Sequence, residues 1–304
     1  MACKTIAPKH SGTGALRRVA RHYVRKAAEE LATAPMSDDV VHGARKDLKK
    51  SRAALRLLRD ALGRSLYQRE NALLRAAAHT LNAARDAKVL VQTLESLCKA
   101  HARLQELPIV KQLSRELREQ EAHLQQLSTE PSQLAPARQA LGQVCDHFED
   151  WSVGRHGWSV LGPGIRRIYR NGRRAVPAAK PHRSDTALHE WRKQVKYLRY
   201  ALRMLSPMDH QELSALEHQA ERLSDCLGRS HDLAVLAARA QAFAHQHQHQ
   251  LDAQPLLKAI EKEQRTLVVD ALVEGERLYR LRPRDFERQL ARHWRHWRHN
   301  GGAH

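Results

Sequence analysis

Six cationic positions set the chemistry this chain could do. His42, Arg45, Lys49, Arg52, Arg56 and Arg59 follow one another at spacings of 3, 4, 3, 4 and 3 residues. On a helix turning roughly 100° per residue they fall in one band about 100° wide. Arginine grips phosphate oxygens bidentately, lysine adds a mobile point charge, and a histidine ring N–H can donate to an anion. Val41, Ala44, Leu48, Leu55, Leu58 and Leu62 form a second, apolar band beside the first. From Val41 through Arg64 the only acids are Asp47 and Asp60, against eight lysines and arginines, so pairing within the helix cannot neutralise the stripe.

The pattern occurs twice. His189, Arg192, Lys196, Arg199 and Arg203 line one face beside Leu188, Trp191, Val195, Leu198, Leu202 and Leu205, 147 residues after their counterparts. Lys46 and Lys193 match at the same offset and are expected, with the stripes, among the anion-binding cations. Leu16, Arg17, Arg18, Val19 and Arg21 recur as Ile165, Arg166, Arg167, Ile168 and Arg170 at an offset of 149. Leu81, Arg85, Asp86, Val89 and Leu90 recur as Leu227, His231, Asp232, Val235 and Leu236 at an offset of 146. Such nearly constant offsets predict an internal duplication. Arg18, Arg21 and Arg25, matched by Arg167, Arg170 and Arg174, supply further stripes. An isolated stripe reads equally well as a solvated face. Paired stripes beside apolar seams crowd like charges, which is unfavourable without carboxylates or a bound polyanion. A row rising about 25 Å suits a linear, repeating anion.

The elements that must position these residues read as all-α. Stretches rich in Leu, Ala, Arg, Glu and Gln repeat at helical spacing, and glycine and proline are sparse. Asp38 and Asp39 are candidate N-cap residues for a helix ending near Gly63. Further helices are expected over 67–107, 109–127, 134–150 and 165–174, and from Asp185 onward. A connector is expected at 128–132 and a glycine-rich loop at 153–164.

Over 304 residues, 52 Lys and Arg against 33 Asp and Glu leave a formal charge of +19, to which 20 histidines can add. An apolar share of 42% excludes disorder of the whole chain. Cys3, Cys98, Cys145 and Cys226 make no zinc or redox spacing, which fits a reducing, cytoplasmic setting. No window is long and apolar enough to insert into a membrane. Nucleic acid, an anionic membrane surface and phosphates all suit the charge.

At the segments VHGARKDLKKSRAALRLLRDALG from Val41, LNAARDAKVL from Leu81, LHEWRKQVKYLRYALRML from Leu188 and LGRSHDLAVL from Leu227, the chain resembles the CHAD family, the conserved-histidine α-helical domain. The resemblance implies two helical bundles related by a pseudo-twofold axis, enclosing a basic channel that binds inorganic polyphosphate without hydrolysing it. It implies association with polyphosphate granules and targeting of the protein or a partner to polyphosphate. His42, Arg45, Lys49, Arg52 and Arg56, with His189, Arg192, Lys196, Arg199 and Arg203, would line the channel. The replacement of Arg85 by His231 in the second copy departs from equal halves. Asp86 and Asp232 are expected to hold neighbouring arginines rather than touch the anion. The expected organisation is a flexible N-terminus at 1–13, the domain at 14–290 with halves at 14–130 and 131–290, and a basic, aromatic tail at 291–304.

Other signals carry less. Arg155, His156 and Gly157 spell a phosphatase-like R-H-G without its strand context. The HQHQHQ tract from His245 lacks carboxylate or cysteine partners, and neither a metal nor a cofactor is expected. Trp294 and Trp297 are expected to pack on the end of the last bundle, with an anion-binding tail as the other reading. Nucleic-acid binding through the same cations is the second functional reading. A phosphohydrolase is the third, and it lacks clustered carboxylates for metals and a credible nucleophile.

Overall fold

The computed structural model describes residues 12–33, 37–151, 157–178, 185–247 and 250–300. They form α1 (Gly12–Thr33), α2 (Asp38–Leu62), α3 (Arg64–Thr80), α4 (Ala83–Ala100), α5 (Pro108–Ser128), α6 (Pro131–Asp146), α7 (Trp158–Ala178), α8 (Asp185–Leu205), α9 (His210–Gln246), α10 (Gln254–Leu278) and α11 (Pro283–His299). Short 3-10 turns lie at Ala102–Glu106, His147–Asp150 and Ser206–Met208, and there is no strand among the described residues. Among them no helix is long and apolar enough to cross a membrane.

Helix boundaries follow local chemistry. The N-cap of α2 is Ser37, not Asp38 or Asp39; its Oγ accepts from Val40 N at 3.4 Å. Pro108, Pro131 and Pro283 begin α5, α6 and α11, where a missing N–H costs nothing. The single helix expected over 67–107 is broken at Leu81 and Asn82, because α3 packs on α6 while α4 packs on α5. The corresponding part of the second half, around Leu227, runs unbroken through the 37-residue α9. The loop expected at 153–164 is largely the first turns of α7. Arg155 and His156, Gln248 and His249 of the HQHQHQ tract, and most of the N-terminal 1–13 lie outside the described residues.

Helix packing follows one order along the chain. Helix α1 lies on α2 and α6, and α4 lies on α5. Likewise α7 lies on α8 and α11, and α9 lies on α10. Helix α6 packs on α1 and α3, so the boundary expected at 130 is not a packing boundary. One core unites α1, α2, α3, α6, α7, α8 and α11 with the near ends of α9 and α10; a second joins α4 and α5 to the far ends of α9 and α10.

Charge and close approach fix the register. Asp47, buried in α2, accepts from Lys26 of α1 at 2.7 Å and from Lys50 at 2.8 Å, tying α1 to α2. The hydrogen bond to Asp47 holds Lys26 above the usual lysine range. Helices α2 and α7 cross where a Cβ on Gly164 would lie 2.3 Å from the Leu57 carbonyl oxygen. Only a glycine permits that contact. Trp294 and Trp297 are buried in the main core, and α11 continues past the boundary drawn at 290, so the Arg/His/Trp run is a helix end and not a separate tail. His293 ties α11 to the start of α9, with Nδ1 3.0 Å from Asp209 and Nε2 2.8 Å from Glu212.

Candidate polyanion site

The two basic stripes meet where α2 and α8 pack together. The alternation of apolar and cationic bands produces this. Leu48, Leu55 and Leu58 of α2, and Trp191, Val195, Leu198 and Leu202 of α8, are buried, which turns the adjacent cationic bands toward a shared space.

Lys49 and Lys196 stand close enough to repel each other. Burial first, then Arg192 and Lys49, push Lys196 down to about 7. Lys49 keeps contact with solvent, yet the protein around it, then Arg45 and Arg192, push it down to about 8. Burial and surrounding cations also hold His42 and His189 below the usual histidine range. Arg45, Arg52 and Arg192 are lowered mainly by burial, but a guanidinium stays charged at any ordinary pH. The Nε atoms of Arg45, Arg56, Arg192 and Arg199 are buried and donate no hydrogen bond among the described residues. Buried donors of this kind are normally paired. The Nε atoms of Arg17 and Arg239, away from the stripes, are in the same state, and Arg199 Nε lies 3.7 Å from Glu217, so these shielded atoms mark tightly packed arginine stems whose outer guanidinium nitrogens are the groups left to meet a ligand.

Each end of the assembly has its own neighbours. His42 and Arg45 line a cavity of about 290 Å³ with Arg85 and Lys88 of α4. Arg45 lies 4.0 Å from Asp86, and Asp86 and Asp232 both act electrostatically on Arg192. In the second half the His189 ring lies 4.9 Å from that of His231, and Arg192 packs over Gly228 of α9, its Nε 3.8 Å from where a Cβ would sit. Burial, then Arg192 and His189, lower His231.

Two aromatic residues that the sequence reading missed join the stripe. The Arg56 guanidinium stacks over Tyr197 at 3.6 Å from the ring centroid, and Arg59 lies 5.3 Å from Tyr67. Tyr197 follows Lys196 on α8, so its place beside the stripe could have been read from the same wheel. Arg52 Nε donates to Asn71 Oδ1 at 3.3 Å.

The far ends of the stripes differ. Arg199 is paired with Glu221 and lies 3.7 Å from Glu217, which is also 3.4 Å from Arg203. Burial raises the nearby Asp225. At the offset of 146, the first half has Asn71, Arg75 and His79 where the second has Glu217, Glu221 and Asp225. The first-half end is therefore the more cationic.

Several sequence-predicted cations fall elsewhere. Arg21 and Arg25 lie over the ring of Phe148, at 4.9 and 5.2 Å, and Arg18 is exposed on the same helix. Arg167 pairs with Asp60 and donates to the Arg56 carbonyl oxygen at 2.6 Å, so it braces α2 against α7. Arg170 lines a different pocket, between α7 and α11. Lys193 is paired with Glu190 at 2.7 Å; Lys46 and Arg174 are exposed. A helical wheel gives the face a residue occupies but not the neighbour that meets it.

The sequence matches the CHAD domain family over residues 14–241. PptA from Streptomyces chartreusis has a similar structure, with a TM-score of 0.56 at 15% identity, covering 92% of this chain and 100% of that one. The crystal structure of the CHAD domain from the plant Ricinus communis gives 0.51 at 18% identity, covering 96% and 93%. At these identities the likeness is one of fold. No curated protein matches.

Proposed function

We propose that this chain, which belongs to the CHAD domain family, is a non-enzymatic binder of inorganic polyphosphate and that the facing stripes of α2 and α8 are its binding channel. The observation that carries the reading is the meeting of the two cationic stripes where α2 packs on α8, with Lys49 and Lys196 crowded by each other's stripe and by Arg45 and Arg192. A linear chain of phosphates offers acceptor oxygens at every unit and charge enough to relieve the Lys49–Lys196 repulsion. The repeated sequence offsets and repeated packing order support two related halves, each contributing one wall.

On this reading polyphosphate is held and not cut. The cations would stabilise the ground-state polyanion along its length, while neither a metal-binding carboxylate cluster nor an activated nucleophile lies among the stripe residues. The consequence would be to bring the protein, or a partner attached to it, to polyphosphate in the cytoplasm, including granules. Nucleic acid offers the same phosphate charge, and shape separates the two: a channel closed by two helices excludes a duplex.

Competition tests this. Long-chain polyphosphate should displace single- and double-stranded nucleic acid, and the preference should persist as salt is raised. Salt dependence alone does not discriminate, because both ligands exchange counterions. Equal displacement of polyphosphate by duplex DNA would overturn the reading.

A further inference from the structure

Helix α7 carries a second cationic face. Arg166, Arg170 and Arg173 are spaced four and three residues apart, which groups them within about 60° of the helix wheel, whereas Arg167 sits about 100° from Arg166 and turns to α2. Against this face the turn into α11 brings Arg282, Arg284 and Arg288. Together the six arginines line a half-open cavity of about 670 Å³, with Pro283 and Asp285 as its other lining residues. That volume lies in the ~300–1,000 Å³ range of ligand-sized clefts.

The cavity is built on rigid parts. Tyr169 OH donates to the carbonyl oxygens of Leu278 and Leu281, at 3.2 and 3.3 Å, which pins the turn before α11. The Tyr169 ring stacks on Phe286 at 3.9 Å between centroids and 12° between planes. Arg173 Nε donates to the Tyr279 carbonyl oxygen at 3.1 Å, fixing the orientation of its fork. Arg166 is paired with Glu287 at 2.9 Å and Arg288 with Asp285 at 3.2 Å. Arg170, Arg282 and Arg284 have no carboxylate partner among the described residues. Two acids thus face six guanidinium groups, three of which are uncommitted.

We propose that this pocket is a second anion site, distinct from the facing stripes of α2 and α8, and that it takes a compact, multiply charged phosphate compound. Its guanidinium forks converge from two helices on one cavity, which suits a few adjacent phosphate groups rather than an extended strand. The site does not depend on the polyphosphate reading of the α2 and α8 stripes. The anion has two possible sources: a short free polyphosphate, or the end of a longer chain.

Isothermal titration of inorganic tripolyphosphate into the full chain tests the proposal in a Lys49→Gln/Lys196→Gln background. Adding Arg170→Gln and Arg284→Gln, both exposed positions, should weaken the remaining binding by at least about tenfold, as loss of two charge-assisted contacts requires. Helical circular dichroism checks that each variant is folded. Unchanged binding after the Arg170 and Arg284 substitutions would overturn the proposal. So would complete loss of binding in the Lys49→Gln/Lys196→Gln protein, or tighter binding of a single-stranded oligonucleotide than of tripolyphosphate through Arg170 and Arg284. A 700-unit polyphosphate titrated in parallel separates the sources: saturation at one end per chain supports the chain-end source, and displacement by free tripolyphosphate alone supports the other. Failure of the stripe reading shows separately, as unaltered long-chain binding when Lys49 and Lys196 are replaced.

Discussion

Binding of a polyanion between α2 and α8 should be coupled to proton uptake, and the coupling should be carried mainly by Lys196. In the free protein burial first, and neighbouring cations second, hold this lysine down to about 7 and Lys49 to about 8. A bound polyphosphate supplies the missing negative charge, so both should return toward the ordinary lysine value of about 10.5. The sign follows. Between the free and bound values, the bound state holds more protons, so affinity must fall as pH rises. For Lys196 alone, full recovery gives a loss of about 50-fold between pH 7 and pH 9. Solvent contact screens Lys49, which adds a factor of a few at most. The expected fall is therefore about tenfold to a hundredfold at fixed ionic strength. Titration calorimetry in buffers of different ionisation enthalpy measures the proton uptake directly. Lys196→Arg, whose charge does not titrate in this range, should bind at pH 9 nearly as well as at pH 7. An affinity constant within threefold from pH 7 to pH 9 in the wild type, or an unaltered slope in Lys196→Arg, would refute the reasoning.

Without any anion the same lysines make folding stability rise with pH. Their cost is present in full below the lowered values and is relieved progressively from there up to the unfolded lysine value of about 10.5, so the melting temperature should climb from pH 6.5 to 8.5, and added polyphosphate should raise it most at the low end. Glu217→Gln with Glu221→Gln frees Arg199 and Arg203 from their internal partners and should strengthen polyphosphate binding severalfold; weaker binding in fluorescence competition would count against an inhibitory role for these acids. Arg52→Glu with Arg199→Glu should weaken binding far more than Arg115→Glu with Arg118→Glu on distal α5, and equal effects would remove the site assignment. Gly164→Ala should destabilise the chain by about 2–3 kcal/mol in urea unfolding, since the added methyl meets backbone that cannot swing aside.

The helices and stripes were legible because both are periodic. The 3,4 spacing predicted which residues share a face, and the paired apolar bands predicted that the cations of α2 and α8 would lie beside a packed seam. Three kinds of information were hidden. Glycine is ambiguous: Gly162 and Gly164 read as a loop, whereas in α7 they admit Trp158 and Glu287 in one case and the Leu57 carbonyl in the other. Breaks set by distant packing are also silent, since Leu81 and Asn82 carry no strong stop signal while Gly228 in α9 does not interrupt its helix. Partner choice was the third gap. Arg21 and Arg25 share a face with Arg18, but only the fold brings Phe148 beneath them.

The backbone contact at Gly164 also bears on how such a protein can change. Most helix pairs adjust their separation by trading side-chain volume, a route open to single substitutions. Here main chain meets main chain, so the distance between α2 and α7 has no adjustable spacer. Charges on exposed faces can be exchanged at little structural cost, as the contrast between Arg75 and Glu221 illustrates. The scaffold thus fixes the gauge and leaves the lettering free, so relatives of this chain could diverge in anion preference without renegotiating their architecture.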